Sequence, residues 1–241
     1  MRVFTLTPGI DSMLSYLYCK KKASKEDVLV YIPISQVYSK IEQYTLEDKF
    51  CSMKDVLSHR LVVLPFDNSH IYEDENGFIP GRNNLIVDLI QASFGTRPLQ
   101  IVMGFTSDDR VYDSGPEWMI KTGKVLSEGV TLVSPFLSCN CSKKQAVDDF
   151  MVYSEEIPLD IKYEILKNSF SCYHPVMGQH CGECKACQRR ATVLYPYFRM
   201  QLTDKGMEGL IKTSEDPGIT ESRRKAIQAY LNNETYAEII K

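Results

Sequence analysis

The sequence predicts an α/β fold, a Rossmann-like parallel sheet with helices on both faces, followed by a C-terminal zinc-binding helical lobe. Two observations predict it. Five short apolar runs, near residues 3, 29, 61, 99 and 130, alternate with helix-like stretches. Strands separated by helices imply crossover connections, and hence a mostly parallel sheet covered on both sides. Four of the eight cysteines, at 172, 181, 184 and 187, crowd into one short segment.

The elements follow in order. Residues 3–6 are an apolar run of strand length, ended by Thr7-Pro8-Gly9. Over 12–21, Met13, Leu14, Leu17 and Tyr18 recur at helical spacing. Residues 28–34 are rich in β-branched side chains and read as a second strand. Residues 40–57 read as a helix with Ile41, Tyr44, Leu46 and Phe50 inward, and 61–64 as a third strand. The stretch 65–83, with its Pro, Gly, Asp and Asn, is a loop. A short helix over 84–94 is stopped by Gly95, and 99–103 is a fourth strand followed by a polar loop to Gly115. Pro116 suits the first turn of a helix reaching Glu128-Gly129. A fifth strand covers 130–133 and a further helix 143–154. Beyond Phe198 the chain turns charged, with helical stretches around 207–212 and 223–231. The implied division is an α/β unit over 1–155, a cysteine-bearing lobe over 156–200 and a helical extension over 201–241. The extension packs on the domain or supports a homodimer.

Composition narrows the function classes. Lys and Arg number 28 against 31 Asp and Glu, a net charge of −3, so no general basic field exists for nucleic acid or an anionic membrane. At 44% hydrophobic and 24% charged, the chain is that of a soluble globular protein. No apolar run approaches the roughly 20 residues a bilayer requires. Met1-Arg2-Val3-Phe4 leads directly into a strand with no signal peptide, which implies a cytoplasmic protein whose thiols stay reduced.

The cysteine cluster reads Cys172, eight residues, Cys181, two, Cys184, two, Cys187. A C-x2-C turn points two thiolates at one ion, and an upstream Cys closes the tetrahedron. Gly182 eases the sharp turn this needs. Four thiolates leave no open position, so the site is structural. Zinc is the first reading and an iron–sulfur cluster its rival. His174 and His180 are near enough to substitute as ligands. Cys19, Cys51, Cys139 and Cys141 are scattered and read as packing residues, the last two as small buried hydrophobes.

Thr7-Pro8-Gly9-Ile10-Asp11-Ser12 joins the first strand to the first helix. A loop there offers backbone N–H groups and a positive helix end to a phosphate. The plainer alternative is Asp11 or Ser12 as helix N-cap.

Three stretches carry a family resemblance. They are Ser171-Cys172-Tyr173 with Cys181-Gly182-Glu183-Cys184-Lys185-Ala186-Cys187 and Arg190; Ile79-Pro80-Gly81-Arg82-Asn83; and the loop at 7–12. Ser134-Pro135-Phe136 followed by Lys143-Lys144 adds a weaker fourth. Over residues 1–198 the chain resembles the 7-cyano-7-deazaguanine synthase (QueC) family of PP-loop ATP pyrophosphatases, which have an adenine nucleotide alpha hydrolase-like fold. It departs from the family where Thr7-Pro8 replaces Ser-Gly, where the 104–117 loop is shortened, and where only Gln36 remains of Y-G-Q-R-H.

The resemblance implies an ATP-dependent carbon–nitrogen ligase of queuosine biosynthesis, using magnesium and a structural zinc ion. ATP would activate the carboxylate of 7-carboxy-7-deazaguanine, and ammonia would carry it through the amide to the nitrile. The departures leave open a relative that adenylates a different carboxylate, a protein or a nucleobase, as in phage DNA modification or antiphage defence, or a binding module without turnover. The implied catalytic residues are Asp11, Ser12, Arg82 and Lys143. Thr7, Pro8, Gly9, Ile10, Asp11, Ser12 and Ile34 would bind nucleotide. Gln36, Arg82, Asn83 and Asp109 would bind substrate, and the four cysteines the metal. The alternatives are ordinary ones: Arg82 in a surface ion pair, Asn83 as a helix cap, Lys143 or Lys144 on a helix face, Asp108 or Asp109 as an exposed loop carboxylate, Trp118 as core.

Overall fold

The computed structural model describes all residues except 23, 52, 54, 55, 96, 97 and 235–241. Five parallel strands, β1 (Arg2–Thr5), β2 (Val28–Tyr31), β3 (Arg60–Val63), β4 (Leu99–Val102) and β5 (Val130–Val133), form one sheet in the order β3-β2-β1-β4-β5. Val3 pairs with Val28 on one side and Ile101 on the other. Strand side chains alternate between faces. Phe4 and Leu29 therefore enter one core, with Met13, Leu14, Val147 and Phe150, while Val3, Val30 and Ile101 enter the other, with Val87, Ile90 and Trp118.

Those partners come from α1 (Ile10–Lys20) and α6 (Lys143–Tyr153) on the first face, and from α3 (Arg82–Phe94) and α4 (Pro116–Gly123) on the second. Trp118 is a core residue, 7% exposed, with its indole N–H on Asn84 Oδ1 at 2.9 Å. A third core joins Phe170, Cys172, Cys187 and Tyr195 to Leu210, Ile227 and Tyr230. The last three residues lie on α9 (Asp204–Glu215) and α10 (Glu221–Asn232).

The helices differ from expectation in five places. The stretch anticipated over 40–57 is α2 (Ser39–Tyr44), continued by a π-helical segment, Thr45–Phe50. The wider turn keeps Leu46 and Phe50 in the core, both 0% exposed. Residues 52, 54 and 55 of that expectation lie outside the described residues, as do 235–241 of the extension. Helix α4 stops at Gly123, where i→i−3 bonds from Lys124 and Val125 tighten the chain ahead of β5. Three helices escape the sequence reading: α5 (Pro135–Ser138), α7 (Leu159–Asn168) and α8 (Lys185–Leu194). Helix α8 hides because it buries polar side chains, Gln188, Arg190 and Thr192, which erases the apolar periodicity. Among the described residues, no helix is long and apolar enough to cross a membrane.

Candidate active site

Chain order reverses between β1 and β4, and in open parallel sheets ligands enter the crevice outside the strand ends at that point. Two loops meet there, 6–9 after β1 and 103–115 after β4. Their approach is close. A Cβ on Gly104 would lie 2.6 Å from the Asp11 carbonyl oxygen and 2.7 Å from Ser12 Cα. Only glycine lets the chain leaving β4 pass under the start of α1.

The first loop is tied to itself. Ser12 Oγ accepts the Thr7 N–H at 3.0 Å and donates to the Thr7 carbonyl at 2.8 Å, while Thr7 Oγ1 accepts the Gly9 N–H at 3.2 Å. Gly9 is the N-cap residue and no side chain caps the helix, so neither Asp11 nor Ser12 is the N-cap. The first-turn amides have no intrahelical partner, the standard state of a helix N-terminus ready for an anion. Pro8 donates nothing, but its carbonyl accepts the Phe170 N–H at 2.8 Å and fastens the loop to the segment leading into Cys172.

Around this turn lies a compact charge cluster. Lys143 Nζ is 2.5 Å from Asp11 Oδ2, and the Lys143 amide donates to Asp108 Oδ1 at 2.9 Å. Arg189 contacts Asp108 and Asp109, each at 3.1 Å. Burial raises the Asp11 pKa even though Lys143 opposes it. Burial also disfavours Asp108⁻, but Arg189 and the Lys143 amide outweigh it and hold that carboxyl below the usual range. Asp11 Oδ1 is buried without a hydrogen-bond partner. Lys143 thus faces the crevice rather than an open helix face, and Asp108 and Asp109 are partnered rather than exposed.

The Pro80-Gly81-Arg82-Asn83 stretch opens α3. Gly81 takes φ +67, and its N–H donates to Tyr112 Oη at 2.7 Å. Asn83 is 5% exposed, its amide N–H on Asp113 Oδ2 and its Nδ2 on the Asp113 carbonyl at 2.8 Å. It therefore clips α3 to the 103–115 loop; the helix N-cap is Gly81. Among the described residues Arg82 makes no surface ion pair; its guanidinium donates to Tyr38 Oη at 3.3 Å. Near it, Glu42 Oε2 accepts from Tyr31 Oη at 3.1 Å, and burial pushes the Glu42 carboxyl up to about 7. Gln36 spends its side-chain donors on the carbonyls of Asn68 and Ile71, at 2.8 and 2.9 Å. Ile34 is buried three residues beyond β2, 3% exposed.

The four sulfurs of Cys172, Cys181, Cys184 and Cys187 lie within 4.8 Å of one another, placed to hold a metal ion. Cys181 and Cys187 Sγ are 3.8 Å apart, about the edge of a tetrahedron with ~2.3 Å metal–sulfur bonds. Backbone amides support the sulfurs: the Cys181 N–H points at Cys172 Sγ, and those of Glu183 and Cys184 at Cys181 Sγ. Gly182 takes φ +75 at the knuckle. His180 stands outside the four-sulfur group, with Nδ1 3.8 Å from Cys187 Sγ and its ring on Phe170. Of the scattered cysteines only Cys141 is buried. Cys51 and Cys139 are exposed, against expectation, because each lies at a helix end where the chain turns to solvent.

Sequence reasoning missed Arg189, which reaches the crevice while Arg190 turns away and bonds the carbonyls ending α7. Adjacent residues on a helix point about 100° apart, and nothing local tells which of two arginines faces the sheet. It also missed Tyr112 and Asp113 as fasteners.

Comparison with known proteins matches residues 12–197 to a family profile described as queuosine biosynthesis protein QueC. A 7-cyano-7-deazaguanine synthase of Staphylococcus saprophyticus is 30% identical over 146 residues, 55% of this chain and 57% of that protein. One from Methanococcus maripaludis strain S2 is 25% identical over 227 residues, covering 78% and 91%. Another from strain C6 of that species is 28% identical over 123 residues, covering 47% and 50%. The chain thus spans little more than half the length of the first of these relatives.

Proposed function

The chain belongs to the QueC family of queuosine biosynthesis proteins, and from that premise we propose that it is a cytoplasmic ATP-dependent ligase converting 7-carboxy-7-deazaguanine and ammonia into 7-cyano-7-deazaguanine. The observation that carries the reading is the Asp11–Lys143 pair at an uncapped helix start, at the point where strand order reverses. The substrate carboxylate would attack the α-phosphorus of ATP, with pyrophosphate leaving. Ammonia would displace AMP to give the amide, and a second activation, now through the amide oxygen, would let AMP leave as the nitrile forms.

The residues suit those steps. The amides of Ile10, Asp11 and Ser12 would cradle pyrophosphate, with Thr7, Pro8 and Gly9 shaping the turn and Ile34 flanking the nucleotide. Lys143 would shift from Asp11 to the phosphate as charge develops there. The orphaned Asp11 Oδ1 fits a magnesium ion, which would neutralise phosphate charge when bound. Arg82, in its tyrosine-lined position, and Asp109 would contact the substrate. Asn83 would support them through Asp113, and Gln36 would hold the neighbouring loop. The four thiolates fit zinc, whose chemistry there is structural.

A second reading keeps the adenylation but changes the acceptor to another carboxylate, protein or nucleobase. The rebuilt 104–115 loop, fastened through Tyr112 and Asp113, favours it. Purified protein incubated with 7-carboxy-7-deazaguanine, ATP-Mg and ammonium should yield AMP and the cyano product, and Lys143→Ala should lose at least ~100-fold in rate. AMP release that needs a different acceptor selects the second reading, and no AMP with any acceptor removes both.

A further inference from the structure

The family profile ends at residue 197, yet the chain beyond it returns to the crevice. Helix α10 begins at Glu221 after its N-cap Thr220. Ser222 Oγ lies 3.4 Å from Ser142 Oγ, and Ser142 is the N-cap of α6, the residue before Lys143. Two helix N-termini, each positive, therefore meet beside the Asp11–Lys143 pair.

The next residue is Arg223. It is half-buried, and burial together with the neighbouring guanidiniums of Arg189 and Arg110 drives its pKa down, against Asp108 and Asp216. Both of those acids are engaged, Asp108 by Arg189 and Asp216 by Arg110. Among the described residues Arg223 makes no ion pair. Arg189 beside it pairs its Nη1 and Nη2 with Asp109 and Asp108 but holds Nε buried without a hydrogen-bond acceptor. Half-buried like charges with unused donors are costly, and a bound anion relieves both penalties at once.

We propose that Arg223 and Arg189 form an oxyanion site at the rim of the crevice, supplied in part by the C-terminal extension. Planar guanidinium donors suit phosphate or carboxylate oxygens. The ligand is then a small molecule bearing one of these groups, the pyrophosphate of the nucleotide or the carboxylate of the second substrate. This deepens the proposed function, but it concerns binding alone and can be tested without turnover.

Calorimetric titration of the full zinc-loaded chain, with inorganic pyrophosphate in one arm and 7-carboxy-7-deazaguanine in the other, decides it. Arg223→Gln should weaken one probe by about tenfold or more, with partial recovery in Arg223→Lys. Arg60→Gln, which removes an exposed charge at the opposite end of the strands, should stay within about twofold. The weakened arm identifies the ligand group. Arg223→Gln should also melt no lower than the parent, since it removes repulsion, whereas a merely structural arginine would lower the melting temperature. If both probes bind Arg223→Gln as they bind the parent, or neither binds the parent, the proposal is overturned. Arg223-dependent pyrophosphate binding in a protein that releases no AMP would sink the proposed function and keep the site.

Discussion

Glu42 shows how a single residue can report on the crevice. Its carboxyl lies beside Arg82 and under Tyr31, and burial raises its pKa from 4.5 to about 7. The folded state therefore holds this proton more tightly than the unfolded chain does. Its stabilising contribution is full below about pH 4.5 and is lost as pH rises through about 7. Glu42→Gln removes that dependence. Relative to the parent, its unfolding free energy should rise by ~1–2 kcal/mol between pH 5 and pH 8, after discounting for solvent access. An equal difference at the two pH values would refute the assignment. Other residues divide in legibility. Asp11 could be singled out because loop position and charge are local properties, and Lys143 only through the family resemblance downstream of Ser134-Pro135-Phe136. Asn83 as a clip, and Arg189 rather than Arg190 as the crevice residue, depend on partners some 30 and 80 positions away.

At the scale of elements, α8 links the four-cysteine cluster to the crevice. Cys184 is its N-cap residue, Cys187 lies in its first turn, Arg189 reaches Asp108 and Asp109, and Arg190 bonds the last carbonyls of α7. The metal would fix the start of this helix and so the direction of Arg189. Cys184→Ser should lose the bound zinc and lower the melting temperature by ~5–15 °C. It should also weaken nucleotide binding, as Arg189 loses its register. Metal analysis with calorimetry checks this, and full zinc with an unchanged melting temperature would overturn the four-thiolate site. The strands were the easiest elements to read, since each is a short apolar run between turn signals. Helices α7 and α8 were not, because they bury polar and charged side chains against other parts of the chain.

Across the whole molecule, two cores flank the sheet and a third surrounds Cys172 and Cys187, and the third depends on the extension. Leu210, Ile227 and Tyr230 are each 2% exposed or less and pack with the segment bearing Cys172 and Cys187. Gly206 sits on the knuckle itself, where a Cβ would strike the Gly182 carbonyl. Ending the chain at residue 203 would expose these faces, at about 1.5–3 kcal/mol for each large apolar side chain. The truncated protein should lose soluble yield or melt at least ~10 °C lower with increased binding of a hydrophobic dye; an unchanged melting curve would show that the extension is a loose tail. The sequence by itself determined the layered α/β class, the five strands, the turn between the first strand and first helix and the four-cysteine cluster. Each of these is written in local spacing, which periodicity, turn chemistry and metal geometry translate directly. Only the tertiary structure decided that Arg189 and Arg223, from two different helices, lie close together, that Asn83 and Gln36 fasten loops, and that the extension packs over the cysteine-bearing segment. Those outcomes depend on the rotation of whole helices against their neighbours, which is settled by packing over the full chain.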